Sequence, residues 1–414
     1  MNSKTIGTTL GDRFALPPDT PASARTVFKL LSRLHHGSLT VQLPDGSMQR
    51  FGGESLPHAT LALHNWNVCS AALKSGDIGF AESYIAGDWS TPNLTDLLRV
   101  LIKNRAEVED VIYGSWAGRL IYRIKHLLNR NTRANSQKNI HAHYDLGNAF
   151  YGLWLDETMN YSSALFQGDL TQPMADAQRT KVRRALTEAA VKPGDRVLEI
   201  GCGWGALAEM ATTDMQAHIT GVTLSTEQLA YARARMQRLG TEQRADLRLQ
   251  DYRDIDDAPF DAICSIEMVE AVGREYWPTY FATVARLLKP GGRACIQSIV
   301  IDDAFYERYI HSTDFIQQYI FPGGCLPSPR VFREQARAAG LEVERELAFG
   351  PDYAETLRRW RDAFLAQRSA VMANGFDDRF VRIWEFYLAY CEAAFDERNT
   401  DVVQFTLRKP LARA

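Results

Sequence analysis

The sequence predicts an α/β protein, with a doubly wound, mainly parallel sheet and a smaller α+β domain before it. From residue 193 onward, short apolar segments alternate with helical segments, as in strands joined by helical crossovers. Residues 196–207 read RVLEIGCGWGAL, an apolar run followed by three glycines and a helical segment. A strand that enters a glycine-rich turn and then a helix presents backbone amides to a polar ligand, so this turn is the predicted centre of a binding site.

The first 113 residues predict an arm and a small domain. Residues 1–24 are mostly polar, contain Pro17, Pro18 and Pro21, and predict a flexible arm. Residues 25–113 predict the α+β domain, in which Pro-Asp-Gly at 44–46 forms a hairpin turn. No motif with recognisable chemistry lies within it. Its predicted helices are 25–34, 67–74 and 94–103, and its predicted strands are 38–43 and 59–63.

Residues 114–138 predict a basic amphipathic linker helix. The segment contains six lysines and arginines and no acidic residue, and its apolar residues recur at helical spacing. Two interpretations stay open. The segment is either a helix between domains with a solvated basic face, or a surface that contacts anionic lipid headgroups.

Residues 139–414 predict the α/β domain. Between residues 302 and 350 the alternation stops and six aromatic residues occur from Phe305 to Phe321. This density predicts a helical cap over an apolar pocket, with a packed aromatic core helix as the alternative. The predicted strands are 196–200, 218–223, 247–250, 261–265 and 293–301, and the predicted helices are 205–211, 227–239 and 276–288.

Composition narrows the class of protein. The net charge of −3 argues against general nucleic-acid binding, and no apolar run approaches the roughly 18–20 residues that span a bilayer. The six cysteines lie far apart without a CxxC pair, which is typical of reduced thiols in a cytoplasmic protein. His141 and His143 lack further ligands at suitable spacing, so no metal site is predicted.

The glycine turn is compatible with two nucleotide cofactors. A dinucleotide site expects an acidic residue roughly 20 positions after the turn, at the end of the second strand. Here that strand ends in GVTLS at 221–225, without an acid. The acid instead precedes the glycines, as Glu199 in VLEIGCGWG, and this string resembles motif I of the S-adenosylmethionine-dependent methyltransferases.

Further strings resemble one branch of that superfamily, the cyclopropane fatty acid synthases and mycolic acid methyltransferases. The resemblance covers roughly residues 65–410. It implies a class I methyltransferase fold and transfer of a methyl group from S-adenosylmethionine to a cis double bond in a phospholipid acyl chain. The partners implied are unsaturated phospholipids at the inner membrane face and a second copy of the chain, as a homodimer. The strings are IGFAESYIAGDW at 78–89, HYDLGN at 143–148, MNYSSALF at 159–166, SIEMVEAVG at 265–273, YIFPGGCLPS at 319–328, FGPDYAETL at 349–357 and YLAYCEAAF at 387–395.

The resemblance also implies roles for individual residues. In the family, a bound bicarbonate removes a proton from the reaction intermediate, and its site corresponds here to Ser163, Glu270, Gln297, Ile299 and Tyr353. Cys391 matches a further family cysteine, which the sequence predicts to be a core residue more than a catalytic one. The matching cofactor positions are Tyr161, Ser162, Glu199, Gly201, Gly203, Thr223, Leu224, Gln228, Asp251, Tyr252 and Ile266.

Two positions of the bicarbonate site depart from the family. The usual cysteine is Ser163 and the usual histidine is Gln297, and neither can carry the positive charge of an imidazolium. The first prediction is a cyclopropane ring formed through a carbocation. A weakened anion site keeps open a methyl-branched or methylene product, and a lipid-binding protein without turnover is the alternative from another class.

Overall fold

The structure is a computed structural model that describes residues 16–107 and 146–411. These residues belong to two compact units, divided after residue 118. The predicted basic helix at 114–138 and the histidines His141 and His143 lie outside the described residues. In the part of the chain that is described, no helix combines the length and the apolar character needed to cross a membrane.

The first unit is a four-stranded mixed sheet with three helices. The hairpin strands β1 and β2 are antiparallel, β1 and β3 are parallel, and the order is β2-β1-β3-β4. Asp45 stabilises the predicted turn, because its Oδ1 accepts from the Ser47 amide at 2.9 Å. The elements are α1 (Ala22–Leu31), β1 (Ser38–Gln42), β2 (Met48–Gly52), β3 (His58–Leu63), α2 (Asn67–Ala86), β4 (Trp89–Ser90) and α3 (Leu94–Lys103).

Three features of this unit were not predicted: β2, the two-residue β4 and the second half of α2. Strand β2 has one buried residue, Phe51, so its sequence lacks the apolar alternation that identifies a strand. Helix α2 continues past the predicted end at residue 74 because the chain turns at Gly76, which has a φ of 62°, and then resumes its helix.

The second unit contains the remaining helices and strands. Its helices are α4 (Asn148–Tyr151), α5 (Met174–Glu188), α6 (Ala206–Thr213), α7 (Thr226–Leu239), α8 (Trp277–Leu287), α9 (Asp303–Tyr309), α10 (Phe315–Tyr319), α11 (Pro329–Ala338), α12 (Gly350–Ala366), α13 (Arg368–Ala373) and α14 (Asp378–Asp396). Its strands are β5 (Arg196–Ile200), β6 (His218–Thr223), β7 (Ala245–Leu249), β8 (Phe260–Ile266), β9 (Leu288–Ile301), β10 (Glu342–Ala348) and β11 (Thr400–Arg408).

These seven strands form one sheet in the order β10-β11-β9-β8-β5-β6-β7. The predicted parallel strands β5 to β9 are parallel, and β10 and β11 add an antiparallel edge. Successive residues of β5 pack on opposite faces: Val197 lies in an apolar cluster with Leu207, and Leu198 lies in another with Phe281. Helices therefore cover both faces, which confirms the predicted doubly wound class.

The region predicted as a cap, 302–350, is only partly helical. It contains the short helices α9 and α10 and the longer α11, but its last part is β10, which belongs to the main sheet. The residues of β10, EVERELA, are mostly charged because an edge strand exposes much of its surface. Strand β11 was not predicted for a different reason. It follows a long helical region, and no glycine or proline marks the boundary between the helix and the strand.

Replacing Gly205 tests how tightly the glycine turn packs on α7. Its φ is 83°, and a Cβ there would lie 3.0 Å from the Ala232 Cβ. Gly240, with a φ of 65° and open space around it, is the matched control for the left-handed backbone alone. We expect Gly240→Ala to lower the free energy of unfolding by about 1 kcal/mol and Gly205→Ala by about 2–4 kcal/mol, measured by chemical denaturation. Equal losses would show that the contact with Ala232 costs nothing.

Candidate active site

The glycine turn after β5 opens a cavity at the carboxyl edge of the sheet. Gly201 and Gly203 have φ values of 87° and 51°, in the region that favours glycine. A Cβ on Gly201 would lie 3.0 Å from the Met268 side chain, whereas Gly203 has open space beside it. The cavity measures about 1180 Å³ including its open mouth. The turn therefore gives a ligand direct access to the backbone.

Glu199 contributes a carboxylate to the cavity wall from the end of β5. Its Oε2 is buried and has no hydrogen-bond partner in the described structure. Burial raises the pKa of Glu199 well above its ordinary value, while Lys181 and Arg235 act in the opposite direction. An unsatisfied buried acceptor beside a cavity indicates a ligand that donates hydrogen bonds or carries positive charge.

Strand ends β6 and β7 supply the opposite wall. Thr223 Oγ1 donates to Gln228 Oε1 at 3.1 Å, and Ser225 caps α7 by accepting from the Gln228 amide at 3.2 Å. After β7, Asp251 Oδ1 accepts from the backbone and Nε of Arg253 at 2.9 and 2.8 Å. These local bonds hold the polar side chains in place before a ligand arrives.

The segment 159–166 closes the cavity from the side of α5. Lys181 Nζ donates to Ser162 Oγ at 2.5 Å and to Asn160 Oδ1 at 3.2 Å. The hydroxyls of Tyr161 and Tyr387 lie 2.7 Å apart. Lys181 is completely buried, so the cation is held against this segment without water.

All the predicted cofactor positions line this single cavity. The unpartnered oxygen of Glu199 and the accessible glycine backbone fit S-adenosylmethionine, which carries a sulfonium, an ammonium group and ribose hydroxyls. The residues are Tyr161, Ser162, Glu199, Gly201, Gly203, Thr223, Leu224, Gln228, Asp251, Tyr252 and Ile266.

A carboxylate that the sequence analysis did not single out occupies the predicted anion site. Glu267 follows β8 and lines the cavity. Its Oε1 accepts from the Ser163 amide at 2.9 Å and from Gln297 Nε2 at 2.7 Å, and its Oε2 accepts from the Tyr353 hydroxyl at 2.7 Å. Three of the five residues predicted to hold bicarbonate therefore bind Glu267.

The side chain of Ser163 does not take part in this site. Its hydroxyl donates to the Ala164 carbonyl at 2.9 Å, so only the backbone amide of Ser163 faces Glu267. The position therefore contributes through its backbone whichever side chain it carries. With the donors of Ser163, Gln297 and Tyr353 directed at Glu267, they do not form a free site for bicarbonate.

The other two predicted anion residues, Glu270 and Ile299, bind each other. The Ile299 amide donates to Glu270 Oε1, and Glu270 Oε2 is buried without a hydrogen-bond partner in the described structure. Burial, and then the charge of Glu267, raise the pKa of Glu270 to about 8. Glu270 is therefore mainly protonated at neutral pH, and it reduces the repulsion that Glu267 would otherwise meet.

Glu267 is the better placed of the two to carry the negative charge. Burial raises its pKa, but the Tyr353 hydroxyl, the Lys181 cation and the amides of Ser163 and Gln297 lower it. Its backbone has a φ of 50°, which is unfavourable for a residue with a Cβ by about 1 kcal/mol or more. A strained backbone at a cavity wall is typical of a functional residue.

Aromatic rings pack around Tyr353, whose hydroxyl donates to the Glu267 carboxylate. The ring centroids of Tyr161 and Trp360 lie 5.4 Å apart, and those of Tyr353 and Phe395 lie 4.4 Å apart. Cys391 neighbours Tyr353 and Tyr387, and burial raises the pKa of its thiol far above neutrality. A neutral thiol is a poor nucleophile, and Cys391 is only partly buried, so its role in the core stays a prediction.

Glu267, Lys181 and Gln404 are the residues of this centre that sequence reasoning missed. Glu267 carried a usable signal, because it is an acid placed directly after a buried apolar strand. Lys181 and Gln404 carried none, since α5 and β11 were not predicted. Within residues 16–107 and 146–411, no three His, Cys, Asp or Glu side chains are grouped so as to hold a metal ion.

The chain is similar to known proteins over most of its length. Residues 131–405 match the family described as mycolic acid cyclopropane synthetase. Tuberculostearic acid methyltransferase UfaA1 from Mycobacterium tuberculosis is 40% identical over 402 residues, covering 94% of this chain and 92% of that protein. Cyclopropane-fatty-acyl-phospholipid synthase from Escherichia coli is 33% identical over 374 residues, covering 88% and 94%. Mycolic acid cyclopropane synthase CmaA1, solved with SAH and CTAB, superposes with a TM-score of 0.62 at 31% identity, covering 66% of this chain and 98% of that one.

The lowered pKa of Lys181 predicts how the unfolding free energy of the protein changes with pH. Burial lowers its pKa from 10.5 to about 8 in the folded protein. Between these values the unfolded chain binds a proton that the folded chain lacks, so the Lys181 contribution to stability rises with pH. We expect wild type to gain about 2 kcal/mol of unfolding free energy relative to Lys181→Met from pH 8 to pH 10, measured by denaturant titration. The exposed Lys192, replaced by Met, is the control and should show a constant difference.

Proposed function

The chain belongs to the mycolic acid cyclopropane synthetase family, and on that premise we propose a reaction in which Glu267 is the base. As a member, it is an S-adenosylmethionine-dependent methyltransferase that methylates or cyclopropanates fatty acyl chains. The proposed substrate is a cis double bond in a membrane phospholipid chain, reached at the inner membrane face. The proposed product is an open, branched chain. The observation that carries the proposal is the Glu267 carboxylate among the predicted anion-site donors.

The first half of the reaction needs a shielded, negatively charged site. Bound S-adenosylmethionine supplies a methyl group made electrophilic by the sulfonium. The two π electrons of the substrate form the new carbon–carbon bond as the carbon–sulfur bond breaks, and the positive charge passes to the neighbouring chain carbon. Aromatic faces such as those of Tyr161 and Trp360 stabilise that cation, and the Glu267 carboxylate lowers its energy further.

The second half needs a base, and Glu267 meets the requirement in three ways. Its carboxylate lies on the wall of the cofactor cavity. Its three hydrogen bonds and Lys181 favour its charged form and oppose the burial that raises its pKa, whereas Glu270 is mainly protonated. Because Glu267 is part of the protein chain, the base is already at the reacting centre, whereas a free anion would first have to bind. Glu267 accepts the proton that leaves the cationic chain, and the remaining electron pair forms the new bond.

Two products are compatible with this base. Loss of a methyl proton while the charge is on the neighbouring carbon closes a cyclopropane ring. If a hydride first moves to that carbon, the charge moves to the methylated carbon, and proton loss gives a methylene branch or an alkene within the chain. The 40% identical relative is named as a methyltransferase and not as a cyclopropane synthase, and this similarity favours the open product. The relative named as a cyclopropane synthase keeps the ring as the second candidate.

Product analysis separates these outcomes. We expect protein incubated with trideuteromethyl-labelled S-adenosylmethionine and phospholipid vesicles containing cis-unsaturated chains to label the lipid. Gas chromatography with mass spectrometry should show an open branch that keeps two deuterium atoms if the methyl loses its proton, or three if the chain does. A product consisting only of cyclopropane rings would replace the proposed product by the second candidate. Absence of label from the lipid would instead support a binding protein or a methyltransferase for other substrates.

Replacing Glu267 tests the base directly. We expect Glu267→Gln to lower kcat by at least about 100-fold while the affinity for S-adenosylmethionine, measured by calorimetry, changes little. Glu267→Gly relieves the left-handed backbone and leaves the Ser163, Gln297 and Tyr353 donors free, so added bicarbonate or formate should restore part of the rate. Glu270→Gln is the matched control, because an amide resembles the protonated acid and still accepts from Ile299. A larger loss in Glu270→Gln than in Glu267→Gln would identify Glu270 as the base.

A further inference from the structure

We infer that Arg184 and Gln404 are positioning residues that act on Glu267 through Gln297. The inference rests on the proposed function of Glu267 as the base. Arg184, Gln404 and Gln297 form a directed line of hydrogen bonds from a cation on α5 to the carboxylate at the end of β8. This line fixes which end of the Gln297 amide meets Glu267 and supports the negative charge there.

The line has three bonds of ordinary or short length. Arg184 Nη1 donates to Gln404 Oε1 at 2.5 Å. Gln404 Nε2 donates to Gln297 Oε1 at 2.9 Å, and Gln297 Nε2 donates to Glu267 Oε1 at 2.7 Å. A second contact, from Gln404 Nε2 to the Lys181 carbonyl at 3.3 Å, holds the Gln404 amide from the side of α5.

The chemistry of the two ends determines the direction of every bond. A guanidinium only donates, so the oxygen of Gln404 must face Arg184. The amide nitrogen of Gln404 then faces Gln297, whose oxygen must accept, and the Gln297 nitrogen is left to donate to the carboxylate. The orientation of each amide follows from its charged neighbours at the two ends. An isolated glutamine in place of a histidine would lack this constraint.

The sheet and α5 build the line into the rigid part of the molecule. Gln404 on β11 is the direct antiparallel partner of Gln297 on β9. Both glutamines are completely buried, where aligned dipoles are weakly screened and polarise one another. The Arg184 side chain is 19% exposed and also lies 3.5 Å from Glu188, so the positive end is anchored near the surface.

Other charged and titratable groups also face Glu267, and the line acts beside them. Lys181 from α5 favours its negative charge, and the Tyr353 hydroxyl from α12 donates to it. Glu270 opposes that charge only when it is ionised itself. Removing the positive end of the line should make Glu267 easier to protonate, because its Gln297 donor becomes less polarised and less firmly oriented.

The test is the pH dependence of kcat in four variants. Activity that requires ionised Glu267 falls on the acidic side, and Arg184→Met should move this acidic limb to higher pH by about 0.5–1 pH unit. Arg184→Lys, which can still donate to Gln404, should restore most of the wild-type profile. Gln404→Glu should shift the limb further, since a carboxylate there accepts from Arg184 but attracts the Gln297 nitrogen away from Glu267. Arg183→Met is the matched control on the same helix, because Arg183 is exposed and pairs with Asp214.

The outcomes separate this inference from the proposed function. Affinity for S-adenosylmethionine and the midpoint of thermal unfolding confirm in each variant that the fold persists. An Arg184→Met profile identical to that of Arg183→Met would overturn the inference.

If wild type transfers no methyl group to lipid, the proposed function fails. The line is then tested by nuclear magnetic resonance of glutamine-labelled protein. The Gln297 amide signal, assigned by its absence in Gln297→Met, should shift with pH in wild type and shift at higher pH in Arg184→Met. A Gln297 amide signal that changes neither with pH nor in Arg184→Met would also overturn the inference.

Discussion

The arrangement of the active site depends on one constraint, which is that a carboxylate must stay ionised where water is largely excluded. Taking a carboxylate out of water is costly unless donors and positive charge replace its solvation. Glu267 obtains them from four separate elements: the segment before α5, α5 itself, β9 and α12. Because each donor comes from a different part of the chain, the second unit must fold correctly as a whole before this carboxylate is stable as an anion.

The same constraint explains the unequal roles of three nearby acids. Glu199 lies on the cofactor side with one oxygen unsatisfied, Glu267 accepts three hydrogen bonds, and Glu270 accepts from the Ile299 amide and keeps one oxygen unsatisfied. Full charges on both Glu267 and Glu270 would repel strongly, and protonation of Glu270 relieves that repulsion. A bound sulfonium would neutralise part of the remaining charge. The site therefore favours a cationic ligand through its carboxylates as well as through its shape.

The sequence was sufficient for the parallel half of the sheet and for the cofactor cavity, because both depend on local signals. The apolar β5, the glycine turn and the acid-free GVTLS string all lie within residues 196–225, and each limits the chemistry by itself. The centre around Glu267 could not be predicted in the same way. Its key contact, between Gln297 and Gln404, joins positions 107 residues apart through the antiparallel strand β11, which has no periodic signature. Comparison with a family motif predicted an anion near Ser163, Gln297 and Tyr353 but could not show that these residues bind the carboxylate of Glu267.

The position of β11 in the sheet has a consequence for how the protein folds. This strand, Thr400–Arg408, inserts between β10 and β9, although both of those strands precede it in the chain. During synthesis the growing chain can form the parallel core from β5 to β9, but β10 has no strand to pair with until β11 emerges. Contacts of such high sequence separation form late and slowly. Assembly of the cofactor cavity can therefore precede completion of the charge support for Glu267, so that a nascent chain competent to bind its cofactor would still lack a fully organised base.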